Sequence, residues 1–166
     1  MKSYQIASSE DLDILTDILQ DEEYGHLVAY NIRIGLVFVT NSSNSGETKP
    51  AFTIFGQPTP SKVKLVNAKD RIFKKLDVEI LIDEFYWASS DDREKHAIIE
   101  GALSQLEISE KSGVVNYNDD GTVKLKLKKP DMVFIGNSKI AEKYRSSSPE
   151  MKAFMELKTE FSNILL

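Results

Sequence analysis

The apolar positions change period several times along the chain, and each change marks an element. Ser8-Ser9 followed by Glu10 and Asp11 reads as a helix cap. Leu12, Leu15, Ile18 and Leu19 then recur at helical spacing, predicting a first helix to about residue 22. In "NIRIGLVFV" (residues 31–39) Ile32, Ile34, Leu36 and Phe38 alternate, with a second, partly apolar face behind them, the pattern of a core strand. Residues 40–50 are polar and predict a loop. "AFTIFGQ" and "SKVKLV" are short strand candidates split by the turn formers Pro58 and Pro60. A short helix is expected around residues 67–76, and the β-branched run "DVEILID" predicts another buried strand, with Trp87 close behind it.

From Asp91, whose acidic neighbours suit a helix N-terminus, a long helix is predicted to about residue 111, stopping at Ser112-Gly113. Ile99, Ala102, Leu103 and Leu106 form its apolar stripe. "VVNYNDDGTVKLKLK" sets an Asp-Gly turn signal between two alternating runs and predicts a hairpin. Its Lys124, Lys126 and Lys128 alternate with Val123, Leu125 and Leu127, giving one wet face that would also guard a sheet edge. Pro130 and Asp131 introduce a further helix towards Tyr144. The "SSSPE" stretch then caps a last one bearing Met151, Phe154, Met155, Phe161, Ile164 and Leu165. No repeat or linker interrupts this order. The expectation is a single-domain α+β protein in which a small mixed or antiparallel sheet packs against helices, residues 1–145 forming the body and residues 146–166 an extra C-terminal helix on it.

Composition narrows the chemistry. A chain of 166 residues can bury roughly 70% of its unfolded surface, and the 41% hydrophobic content is that of a globular protein. There is no cysteine, which excludes disulfides, thiolate zinc, iron–sulfur clusters and a cysteine nucleophile, and suits a reducing cytoplasm. The net charge of −5 disfavours a polyphosphate backbone as partner, so no nucleic acid is expected. No run approaches the ~20 apolar residues that span a bilayer, and the N-terminus is not that of an exported chain, so no membrane partner is expected either.

The order of several segments resembles the phage metallopeptidase family, a compact zincin-like domain. The capped first helix, "NIRIGLVFV", "VEILIDEFYW" ending in tryptophan, "REKHAIIEGALSQLE", a variable hairpin and "KKPDMVFI" carry the likeness over roughly residues 5–144. The resemblance implies an HExxH on the helix after the tryptophan and a His-Asp pair after the hairpin. Laid on that rhythm, Gly101 and Gln105 stand where the two histidines belong, Ala102 where the catalytic glutamate belongs, and Pro130-Asp131 where the His-Asp pair belongs. The family's metal and catalytic residues therefore do not carry over to these helix positions.

The same follows from coordination chemistry. A hydrolytic zinc site takes three nitrogen or carboxylate ligands, and HExxH works because side chains four apart leave one helix face together. Glycine offers no ligand, neutral glutamine is a poor one, and alanine cannot take a proton from a metal-bound water. The chain has two histidines, His26 and His96, too few for a three-histidine site. His96 and Glu100 have i,i+4 spacing and with another acid would make an alternative metal site, although His96 lies about 140° round the helix from Gly101. His26 is expected in a loop near the first helix. No phosphate-cradling glycine loop and no GxSxG elbow occurs.

The expectation is accordingly a non-catalytic, metallopeptidase-like phage or prophage protein in the bacterial cytoplasm. It would need no cofactor and would act by binding a host or defence protein, as a monomer or small homo-oligomer. Asp119, Asp120, Met151 and Phe154 are candidate contact residues, together with the polar loop of residues 41–49. The alternatives are a divergent metal-dependent hydrolase using His96 and Glu100, and a small phage assembly or scaffold protein that associates through the last helix.

Overall fold

A computed structural model describes residues 1–43, 46–54, 56–128, 138–147 and 149–160. The chain divides into two compact units, Met1–Lys128 and Lys129–Leu166. The first opens with β1 (Lys2–Ile6) and α1 (Ser9–Leu19), followed by a 3-10 turn (Glu22–Tyr24), α2 (Gly25–Ala29) and β2 (Ile34–Ser42). Next come β3 (Thr48–Lys49), β4 (Thr53–Ile54), β5 (Gln57–Pro58), β6 (Ser61–Leu65), α3 (Ala68–Lys74) and β7 (Val78–Asp83). The unit closes with α4 (Glu84–Ser89), α5 (Asp92–Leu103), β8 (Leu106–Ile108), β9 (Glu110–Lys111), β10 (Val114–Val115) and β11 (Leu125–Leu127).

The main sheet runs β1-β2-β7-β6, with β3 also on β2. β2 and β7 are parallel and the other pairs antiparallel, so the sheet is mixed and the fold is α+β. The register sets Leu36 opposite Ile80, Phe38 opposite Ile82 and Ile80 opposite Val63. These side chains share one sheet face and bury themselves against Leu15, Ile18, Trp87, Ile99, Ala102, Leu103 and Leu106 from the helices and β8. β7 is buried along nearly its whole length, as a strand covered on both faces must be. On its other face Val39, Ala51, Phe52 and Leu81 form a smaller cluster. There the buried Asp83 carboxylate accepts from the Ala51 N–H at 2.6 Å and from the Phe85 N–H at 3.1 Å, tying a loop to the sheet and starting α4 in one move.

Trp87 joins elements as well as filling space. Its indole Nε1 donates to Asp11 Oδ1 at 3.0 Å, and its ring lies 5.4 Å from that of Phe38 in a tilted pair. Asp11 also completes the capping box with Ser8 at the start of α1. One carboxylate thus closes a helix and anchors the tryptophan.

Three local expectations are corrected, and one element is unforeseen. Residues 2–6 form an edge strand, which an exposed pentapeptide with no alternating burial does not announce. α1 ends at Leu19, short of residue 22. β2 continues to Ser42 and pairs with β3, so part of the expected polar loop is a hairpin. The predicted helix over residues 91–111 ends at Leu103 and is followed by a strand, β8, paired with β11. The Ser104 hydroxyl and the Gln105 amide both donate to the Gly101 carbonyl, competing for the last helical acceptors. Leu106 and Ile108 are then buried on either side of Glu107, a period of two that overrides the helical spacing of Leu106.

The glycine turn also has another function than expected. Ser112 and Gly113 both have positive φ and turn β9 into β10. The Asp-Gly signal does make a turn, with Gly121 at φ +79°, closed by the single bridge between Tyr117 and Val123. In the second unit α6 (Ser138–Tyr144), a 3-10 turn (Arg145–Ser147) and α7 (Pro149–Glu160) follow one another. Pro130, Asp131, Phe161, Ile164 and Leu165 lie outside the described residues.

Candidate functional site

α5 is set by its own sequence. Asp91 caps it, accepting from the Glu94 N–H, while the Glu94 carboxylate reaches back to the Asp91 N–H at 2.8 Å. That start fixes which face each later residue takes. Ile99, Ala102 and Leu103 turn into the core, and Gly101 and Ser104 face solvent.

The positions at which the sequence reading sets HExxH therefore differ among themselves. Gly101 is exposed, and a Cβ built on it would meet nothing within 4 Å. Ala102 is 0% exposed, packed in the main core. Gln105 is half-buried, and its Nε2 donates to the Gly101 carbonyl at 3.2 Å. A catalytic zinc needs basic nitrogens or carboxylates converging on one point and a base beside its water. A hydrogen, a methyl group and an amide engaged with the helix backbone do not fit that ion. Asp131 lies outside the described residues.

His96 and Glu100 sit on the same helix, one turn apart, both half-buried. His96 Nδ1 lies 2.7 Å from the Asp92 carbonyl oxygen. Because a carbonyl only accepts, Nδ1 is the donor in this contact. Glu100 Oε1 accepts from the Tyr24 hydroxyl at 3.4 Å. Burial, then the charges of Glu100 and Glu23, push the Tyr24 phenol up to about 12, so it stays neutral and donating. Glu100 is thereby tied to the 3-10 turn before α2, and is not a bare surface acid.

An open depression of about 370 Å³ lies beside β8, lined by His26, Tyr30, Leu106, Glu107, Ile108, Glu110 and Lys128. His26 belongs to α2, where its Nδ1 lies 3.0 Å from the Glu23 carbonyl oxygen, and not to a loop leading into a strand. Glu107 forms an ion pair with Lys126 at 3.2 Å. Among the described residues no three His, Asp or Glu side chains converge closely enough to hold a metal ion. Reading residues 106–110 as helix hides this grouping, which rests on the pairing of β8 with β11 and on the nearness of α2.

The proposed contact residues are also distributed unevenly. Asp119 and Asp120 are both exposed, but Asp120 is engaged: Arg71 Nε donates to it at 2.9 Å, and Thr122 donates through both its hydroxyl and its backbone N–H. The Thr122 bonds first, then Arg71, hold the Asp120 carboxyl down to about 2. Phe154 is exposed on α7 and Met151 is half-buried there.

A family model described as "Putative phage metallopeptidase" matches residues 4–157. The chain belongs to this family. No curated protein and no solved structure matches it. The match spans the capped first helix, the sheet, the Trp87 segment, α5 and both helices of the second unit, so the resemblance read from segment order is shown for the family as a whole. Within this phage metallopeptidase family member, α5 packs on the sheet through Ile99, Ala102 and Leu103.

Proposed function

We propose that the chain is a non-catalytic member of the phage metallopeptidase family that acts by binding a protein of the bacterial host, a defence or host-takeover factor being the target we infer first. One observation carries the reading: Gly101 and Ala102 of α5 and Gln105 just past its end offer a hydrogen, a buried methyl group and an amide already bonded to the backbone. None of these can hold a hydrolytic metal or serve as its base. The fold supports retention of architecture, because Ile99 and Leu103 remain buried whether or not chemistry occurs nearby. The cytoplasm of the infected cell is the compartment we assign, since the chain has no cysteine to oxidise.

The test is elemental analysis of protein purified without chelator, run beside a casein or peptide-library hydrolysis assay. Substoichiometric transition metal and no cleavage are expected. Stoichiometric zinc with cleavage that disappears on His96→Ala would overturn the reading. It would favour a divergent hydrolase, for which the i,i+4 pair of His96 and Glu100 on α5 is the specific support. A scaffold role rests on exposed Phe154 and Met155 of α7. Light scattering that gives a monomer mass would set it aside.

A further inference from the structure

The molecule carries its charge very unevenly. Residues 61–75, "SKVKLVNAKDRIFKK", hold six basic residues and one acid, a local +5, which leaves −10 for the rest of a chain whose total is −5. This segment is β6 and α3, and part of its charge is answered locally, Lys64 and Lys74 by Glu79 and Arg71 by Asp120. Lys74 Nζ lies 2.6 Å from Glu79 Oε1 and Lys64 Nζ lies 3.6 Å from Glu79 Oε2, so the two ammonium groups meet over one buried carboxylate. Lys62 is two residues from Lys64 along the strand and so on the same sheet face.

Two large apolar side chains project from α3. Ile72 is 72% exposed and Phe73 is 77% exposed, both on α3. Lys69 precedes them by three and four residues and shares their helix face, and Lys75 caps the helix end in a left-handed conformation, with φ 54°. Lysines on an edge strand are explained by protection of that edge. An isoleucine and a phenylalanine that bury nothing are not.

We propose that this surface is a peripheral docking site for an anionic lipid bilayer, with Ile72 and Phe73 entering the headgroup layer, Lys69 and Lys75 of the same helix lying against anionic phosphates, and the exposed lysines of β6 adding longer-range attraction. The cation type decides the partner. The segment's only arginine, Arg71, is turned inwards to Asp120 and to the Val66 carbonyl, so every exposed cation in the patch is a lysine. Protein interfaces enrich arginine and deplete lysine. Lysine stems instead lie along an apolar boundary while the ammonium stays in the headgroup region. No helix among the described residues is long and apolar enough to cross a membrane, so the contact is superficial. This inference is independent of whether the chain hydrolyses peptides.

Co-sedimentation of the full chain with phosphatidylcholine vesicles, and with an equal mixture of phosphatidylcholine and phosphatidylglycerol, tests it. Binding is expected to the mixed vesicles only, and is expected to be lost at about 1 M salt, where the Debye length shrinks to about 3 Å. Lys62→Gln with Lys69→Gln should weaken it roughly thirty-fold, and Ile72→Ser with Phe73→Ser roughly tenfold or more. All four positions are exposed, and unchanged circular dichroism confirms that the variants fold. No sedimentation with mixed vesicles in low salt, or full binding by the Ile72→Ser/Phe73→Ser chain, overturns the proposal. So does retention on polyglutamate or single-stranded DNA without vesicle binding, which would reassign the patch to a protein or nucleic-acid partner.

Discussion

Replacing Gly101 and Ala102 separately should move stability in opposite directions, although the two residues are adjacent. Gly101 lies within α5, is exposed, has no positive φ and leaves open space where a Cβ would go. Gly101→Ala should therefore gain most of the helix propensity difference, about 0.5–1 kcal/mol. For a chain of this size that is a rise in Tm of about 1–4 °C. Ala102 is buried on the core face between Ile99 and Leu103. Ala102→Glu would introduce an unpaired carboxylate there, at a cost of about 3–5 kcal/mol, a large part of a typical total stability.

A pH series adds a check of sign. Burial would raise the pKa of a glutamate at 102, so its protonated form is the one the fold tolerates. The Ala102→Glu chain should come closest to the parent below the unfolded value near 4.3 and lose stability as pH rises through its higher folded value. Thermal and urea melts followed by circular dichroism read both effects. A neutral Ala102→Glu, stable at pH 8, would refute the reasoning. It would mean that side chain 102 faces an open cleft, where a catalytic base could be accommodated.

Other perturbations follow from the same structure. Gly101→His with Gln105→His builds an i,i+4 chelate on accessible positions; zinc or nickel at a hundred times its Kd should stabilise that variant by about 2.7 kcal/mol and leave the parent unmoved, whereas no metal-dependent shift in Tm would show that the two positions do not share a face. Asp11→Ala removes the carboxylate half of the α1 capping box and the acceptor of the Trp87 indole while leaving the Ser8 cap, so about 2 kcal/mol should be lost in urea melts, with a red shift of the single tryptophan's fluorescence; an unshifted spectrum counts against that bond. Tyr24→Phe should delete the highest-pH step of the absorbance titration at 295 nm, because the folded phenol titrates at about 12 and its contribution is present below pH 10 and lost as pH climbs through 12. At acid pH, Asp77 behaves in the opposite sense: burial raises its pKa, but hydrogen bonds from the Arg33 guanidinium and backbone outweigh that and hold it low. Its contribution is complete above about pH 4 and lost as pH falls through the folded value, so Asp77→Asn should flatten the acid limb of a pH–stability curve.

Much of the fold is legible in the residues themselves, and the misses share a cause. β2 and β7 were readable because burial on one or both faces forces alternation or continuous apolarity, and the capped helix starts were readable because Ser8, Asn67 and Asp91 bond to the N–H three residues on. β1 was not, since an edge strand with all five residues exposed satisfies only its backbone partner, β2. β8 was not, since Leu103 and Leu106 keep helical spacing while the chain has already changed period to pair with β11. At the candidate site, residue type alone showed which ligands are missing. The depression beside β8 required the tertiary pairing of α2 with residues 106–110. The lysine patch was hidden by a net charge that averages +5 against −10.

The parallel pairing of β2 with β7 also bears on how the chain is made. Ile34 faces Val78 and Val39 faces Asp83, partners 44 residues apart, and β6 enters the sheet only through β7. At about 5–20 residues per second, a ribosome needs about 2–9 s to synthesise that interval. Throughout it, "GLVFVT" has β1 on one edge while its β7 edge stays open, able to pair with whatever extended chain it meets. Assembly of the sheet is therefore gated by the arrival of β7, and stalled nascent chains ending before residue 78 should be cleaved rapidly by protease while those extending past α5 resist it.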